Sequence, residues 1–376
     1  MKNEDLYNAI SNISPQYLEE LSFEKTVDEK NNNAKATPAK KSKLPVIGII
    51  CAVVGLAGIT CVAAIKGVLG RGMNELQMDP SQQQELVEQS AAIVYTSEST
   101  TASTTANITA QTDDKTVANA DKITVVPESV VADERCAFIS FKVSGFTFDD
   151  TINEPFFDME YAYEDEAMTK ELDCEGRFYN GVNDIGGKQV YEDGTPLQYY
   201  NSGVEKYRYF DNEGNLYYLM KVSGHGVDMN MLGRTIYVKL VNLCELYKCE
   251  VIKGTNREWT FTLEMPSKST SVNKDVGKKL ENTPFTLDSI GLSPISIRLN
   301  YTVKGNAKGT IPKFVGVVLK DGSVLGIGDD VHNSSDGNTA HQNCFFVRAI
   351  DPDKVESILI LKDMDDPSSG VVTIPV

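Results

Sequence analysis

The chain has 376 residues, enough for two or three domains with their own cores, and a formal net charge of −17. Residues 1–71 carry 9 basic and 7 acidic side chains, so the remaining 27 basic and 46 acidic ones leave the rest of the chain at about −19. So acidic a body repels phosphate backbones, which excludes nucleic acid as its partner and points to neutral, basic or cationic ones.

In chain order, residues 1–23 come first. Leu6, Ile10 and Ile13 fall at helical spacing, and Ser14-Pro15 restarts a turn bearing Tyr17, Leu18 and Leu21. Pieces this short are marginal helices in water and order by burying their apolar side against a partner. Residues 24–43 are a polar, basic tether. Residues 44–65 form an uncharged apolar run of the length that crosses a hydrocarbon core, predicting one transmembrane helix over 44–66. Lys35, Lys40, Lys41 and Lys43 precede it, and only Lys66 and Arg71 follow closely, so the N-terminus is expected in the cytoplasm and the C-terminal part outside the cell.

Residues 72–95 are expected to form a juxtamembrane helix, with Asp79 as its N-cap and Pro80 at its first position. Residues 96–117 are Ser/Thr-rich with little apolar material, which predicts a flexible stalk holding the folded domains away from the bilayer. Residues 118–266 read as a first β-sandwich, with alternating runs at 123–131, 136–143, 216–222, 236–241 and 259–263 and with Trp259 filling its core. Residues 267–281 are polar and charged, hence a linker. Residues 282–376 read as a second β-sandwich, with strands at 295–303, 314–319 and 355–361. The expected fold is therefore mainly β: a cytoplasmic helical segment, one membrane helix and two extracellular Ig-like β-sandwich domains.

No constellation asks for catalysis. Asp329, Asp330, His332, Asp336 and His341 use metal-ligand residue types but match no established spacing, so the stretch reads as a solvated loop between strands. Acidic residues from Asp149 to Glu166 surround Pro155-Phe156-Phe157, which reads as a soluble loop with both rings against the sandwich. Three histidines and no GxSxG, P-loop or dinucleotide fingerprint leave no enzyme, metal or cofactor expected. Cys136, Cys174, Cys244, Cys249 and Cys344 lack any paired spacing that would define a disulfide framework.

The opening LYNAISNISPQYLEEL, with its basic tether and apolar run, resembles the cytoplasmic segment of Gram-positive single-pass anti-sigma-factor-like proteins. ITVVPESVVADERCAFISFKVSGF followed by EPFF resembles the uncharacterised extracellular domain those proteins carry, and FTLDSIGLSPISIRLNYTV resembles the β-rich domain that follows it. The resemblance implies a membrane-anchored regulator that binds a cytoplasmic sigma factor and senses or binds at the cell surface. Leu6, Tyr7, Ile10, Ile13, Tyr17 and Leu18 would form the partner-binding surface, folding on contact. The alternative is a cell-surface binding or adhesive protein, recognising wall polymer or a protein, with no transcriptional role.

Overall fold

A computed structural model describes residues 68–78, 80–95, 102–105, 120–185, 188–224, 230–304, 311–326, 331–335, 338–346, 348–362 and 370–376. All belong to one compact unit, Gly58–Val376. The expected membrane span and the six partner-binding residues lie outside the described residues. Among the described residues, no helix is long and apolar enough to cross a membrane.

The first part contains β1 (Ala92–Val94), β2 (Ala102–Thr105), β3 (Thr124–Ala132), β4 (Cys136–Ser144), β5 (Glu154–Tyr163), β6 (Glu171–Phe178), β9 (Leu216–Ser223), β10 (Thr235–Tyr247), β11 (Glu250–Gly254) and β12 (Glu258–Glu264). They form one antiparallel path, β1-β3-β4-β9-β6-β5-β10-β12-β2, with β11 added to β10. Only Ala162↔Leu172 and Tyr163↔Glu171 join β5 to β6, and there the sheet folds over on itself. The halves meet around one core, where Phe141 of β4 lies 5.0 Å from Phe261 of β12 and Phe157 of β5 lies 4.8 Å from Tyr218 of β9. Trp259 is fully buried there, as its sequence position predicts. A hairpin of β7 (Val182–Ile185) and β8 (Lys188–Tyr191) stands apart from this sheet.

Strand alternation explains what points inward. Ile236, Val238 and Leu240 of β10 are buried at period two, and Asn242, with φ 51°, then resets the parity so that Leu243 is buried as well. Asparagine tolerates this left-handed conformation better than a branched residue would.

The second part packs two sheets around a separate core of Leu287, Leu299, Tyr301, Phe314, Ile358 and Ile360. One holds β13 (Val272–Lys279), β14 (Phe285–Leu292), β15 (Ser296–Val303), β19 (Thr339–Phe345) and β18 (Val331–Ser335) in that order. The other runs β17 (Val324–Gly326), β16 (Lys313–Leu319), β20 (Val355–Leu361), β21 (Val371–Pro375). Gln342 crosses between them, accepting from the Phe314 N–H at 2.6 Å.

Four expectations change. Residues 267–281 are no mere linker, because β13 spans most of them and pairs with β14. Its polar sequence suits an edge strand, and Lys274 and Lys278 reach across to donate to the Pro375 and Thr373 carbonyls of β21. The stretch around His332 is not simply a loop, since β18 and β19 pair within it. Among the described residues of 72–95, only Pro80–Glu88, here α1, is α-helical; a 3₁₀ turn, Gly72–Leu76, precedes it and β1 follows. Within the expected stalk, β2 pairs with β12 by backbone hydrogen bonds, which need no apolar side chains.

Candidate functional site: the junction of the two β cores

Sequence placed a juxtamembrane helix, residues 72–95, between membrane and stalk, whereas the structure joins residues 68–71 to that stretch. Together they form a third core with both β parts. Leu69, Met73, Leu76, Met78 and Leu86 are buried against Val131, Phe138 and Leu219 of the first part and Ile295, Phe345 and Ala349 of the second. Burying each such large apolar side chain stabilises the assembly by about 1.5–3 kcal/mol.

The segment fits because β4 and β9 are buried on both faces. In β4, Ala137, Ile139, Phe141 and Val143 face the first core, while Cys136, Phe138 and Ser140 lie under the inserted segment. Gly72 sits directly above Ser140, whose hydroxyl a Cβ at that position would strike. Backbone bonds complete the seam: the Ala349 N–H donates to the Leu76 carbonyl at 2.7 Å, and Ser129 Oγ donates to the Leu69 carbonyl at 2.5 Å. Buried Gln83 accepts from the Leu69 N–H and donates to the Met78 carbonyl, holding the segment's own loop.

Arg71 is the cationic clamp. Its guanidinium pairs with Glu192 at 2.9 Å, donates to the Tyr209 and Arg208 carbonyls at 2.6 and 2.8 Å, and lies over the Tyr179 and Tyr217 rings. This satisfies a charge that is only 3% exposed and ties the segment to the chain following β8. Beside it, Glu75 pairs with Arg177 at 2.7 Å; burial raises its carboxyl above the usual range while Arg177 pulls it down.

Asp133, also buried, is the anionic counterpart. One carboxylate oxygen accepts from the Arg135 and Cys136 N–H groups, and the other from Ser293 and Ser296 of the second part, both at 2.5 Å. Ser271 Oγ donates to Glu134 close by, and Lys221 of β9 lies over the Phe345 ring. The junction is thus apolar at its centre and hydrogen-bonded at its ends, an arrangement suited to holding rather than to turning over a substrate.

The other singled-out residues are dispersed. Phe157 enters the first core, whereas Phe156 stays 41% exposed, so only one of the two rings is tucked in. Asp149 closes a local turn through Thr151. His341 bonds Asn300 on the neighbouring strand. Asp329, Asp330 and Asp336 lie outside the described residues, and among the described residues there is no group of metal-binding side chains. Cys136, Cys174, Cys244, Cys249 and Cys344 are all free thiols. Burial pushes Cys174 and Cys244 up to about 12, and Cys249 is exposed in the turn between β10 and β11.

Sequence reasoning overlooked the junction. The signal was present: CAFISF in β4 and LYYLM in β9 are continuous apolar runs, the pattern of strands covered on both faces, not alternation beside water.

Comparison with known proteins gives little more. No known family matches the chain, and no curated protein matches it. A solved structure described as the conserved domain protein from Bacillus anthracis aligns over 65% of this chain and 73% of its own, at 12% identity and a TM-score of 0.36. A likeness that slight assigns no function.

Proposed function

We propose that the chain is a membrane-anchored regulator of the anti-sigma-factor type. Residues 1–23 bind a cytoplasmic sigma factor through Leu6, Tyr7, Ile10, Ile13, Tyr17 and Leu18, residues 44–66 cross the membrane once, and two Ig-like β-sandwiches act at the cell surface. One observation carries the coupling. The expected membrane helix ends at residue 66, and Leu69 is already buried in the core shared by both β parts. Three residues span at most about 11 Å, so the anchor would connect to that shared core without a spacer.

On this reading, residues 96–117 are not a stalk between bilayer and body, because they follow the packed segment in the chain. A cut there would leave residues 68–95 on the anchor side, still packed against both parts. Release would need that segment to come out, so the junction is the element that a surface event acts on.

The test uses the full-length chain in native membranes. Co-purification of a sigma factor with the wild type, and its loss with Leu6→Asp/Ile10→Asp, supports the reading. A Gly/Ser spacer inserted after Lys66 should leave that capture intact while blunting the transcriptional response to surface stress. Recovery of no sigma factor with either chain would sink the regulatory reading in favour of a surface-binding protein, for which the first β part offers a surface of its own.

A further inference from the structure

β5, β10 and β12 are neighbours, and their register fixes which side chains share the face turned away from the first core. Ala162, Val238, Leu240, Trp259 and Phe261 point inward and are buried. By alternation, the outward face carries the residues between them. Tyr163 stands opposite Tyr237, and Tyr237 opposite Thr262. One step along, Tyr161 faces Lys239, which faces Thr260. Met159, 47% exposed, ends the β5 column. Successive positions on one strand face are about 7 Å apart and strands about 5 Å apart, so this is an open platform about 14 by 10 Å.

Its chemistry is uneven in a way that selects a ligand. The three tyrosines are partly exposed, and the rings of Tyr161 and Tyr163 lie within 20° of parallel with centroids 6.1 Å apart. Beside them runs a polar column. Lys239 pairs with Glu258 at 3.0 Å and Thr235 donates to Glu264, while just beyond the strand ends, outside this alternation, Arg234 pairs with Glu164 at 3.3 Å. Both of these cations are matched by carboxylates, and the carboxylates outnumber them. Phosphate-bearing polymers and anionic lipid headgroups are therefore repelled. A basic peptide would have to displace the lysine and arginine that already hold Glu258 and Glu164. What fits aromatic faces beside fixed acceptors and hydroxyls is an uncharged molecule with C–H faces and hydroxyl edges.

We propose that the outward face of β5, β10 and β12 binds a neutral polysaccharide. Sugar rings stack on Tyr161, Tyr163 and Tyr237, and Lys239, Glu258 and Thr260 take their hydroxyl groups. This site stands on the first β part alone and is independent of any cytoplasmic partner.

The experiment measures binding of detergent-purified full-length chain to chitohexaose, cellohexaose and laminarihexaose, with polylysine as the cationic comparison. The wild type and a Tyr199→Ala control, whose exposed ring lies off this face, should bind at least one hexaose equally well. The Tyr161→Ala/Tyr163→Ala/Tyr237→Ala variant should bind it at least about tenfold more weakly, with little dependence on salt. Should that variant misfold, nitration mapped by mass spectrometry replaces it: the hexaose should protect these three tyrosines and leave Tyr199 reactive. Failure of the wild type to bind any hexaose overturns the proposal. So does unchanged binding by the triple variant, or salt-sensitive polylysine binding at these tyrosines without hexaose binding.

Discussion

Replacing Asp133 by alanine removes an acceptor that four donors share. Two of them, Ser293 and Ser296, belong to the second β part, and two are the N–H groups of Arg135 and Cys136 in the turn between β3 and β4. Hydrogen bonds to a charged group contribute about 1.5–3 kcal/mol each, but their losses do not add. The serine hydroxyls can turn to the Ser296 carbonyl and to each other, at 3.2 and 3.4 Å, so part of the loss is recovered there. The Cys136 N–H, in a fully buried residue, has no such recourse. The expected cost is about 3–5 kcal/mol for Asp133→Ala and about 1–2 kcal/mol for Asp133→Asn, which keeps one oxygen on the turn. Trp259 is the chain's only tryptophan and lies in the first core, so its fluorescence during denaturation reports that part, while calorimetry reports both. A double-mutant cycle with Ser293→Ala/Ser296→Ala isolates the bond across the junction, with an expected coupling of about 1–3 kcal/mol. A cost within about 0.5 kcal/mol of zero, with no coupling, would refute the claim that Asp133 locks the two parts together.

Two further outcomes follow from local geometry. Gly72→Ala should destabilise by about 1–3 kcal/mol through its clash with Ser140, and Ser140→Gly should restore much of that loss in thermal melts of the double variant. Acid should loosen the chain between β7 and β9 before the cores melt. The Thr195 hydroxyl and N–H, with Arg208, hold Asp193 down at about 2. Burial pushes Asp211 up, but bonds from Asn215, Tyr217 and Glu213 outweigh it and lower it further. Carboxylates with depressed folded values stabilise above the unfolded value of about 4 and lose that contribution as pH falls through the folded one. Hydrogen-exchange protection in residues 188–217, relative to the intrinsic rate at each pH, should therefore fall from about pH 4 downward, and Asp193→Asn should flatten that dependence.

The sequence makes the β character readable because burial on one face leaves a period-two trace. IYVKL in β10 and WTFTL in β12 show it, and their inward residues are the buried ones. Turn chemistry is equally local: Asp193, Asp211 and Asp321 each bond a residue two positions on, beside a glycine of positive φ. β13 and β2 escaped because an edge strand is held by backbone bonds, and polar side chains there look like linker.

The two candidate surfaces differ in the same way. The outward tyrosines of MEYAY stand in the sequence at i and i+2, but their pairing with Tyr237 depends on the register between β5 and β10, about 75 residues apart in the chain. The junction was still less visible. Met73 and Leu76 fall in the stretch that reads as a juxtamembrane helix, although CAFISF and LYYLM announced strands covered on both faces. By itself, the sequence determined the β character, the positions of β3, β4, β9, β10, β12, β15, β16 and β20, the acidic balance of the C-terminal part and the apolar run. That residues 68–95 cover β4 and β9, and that Asp133 meets two serines about 160 positions away, was decided by tertiary structure alone. Pattern records how much of a side chain is buried; only the folded chain determines against what.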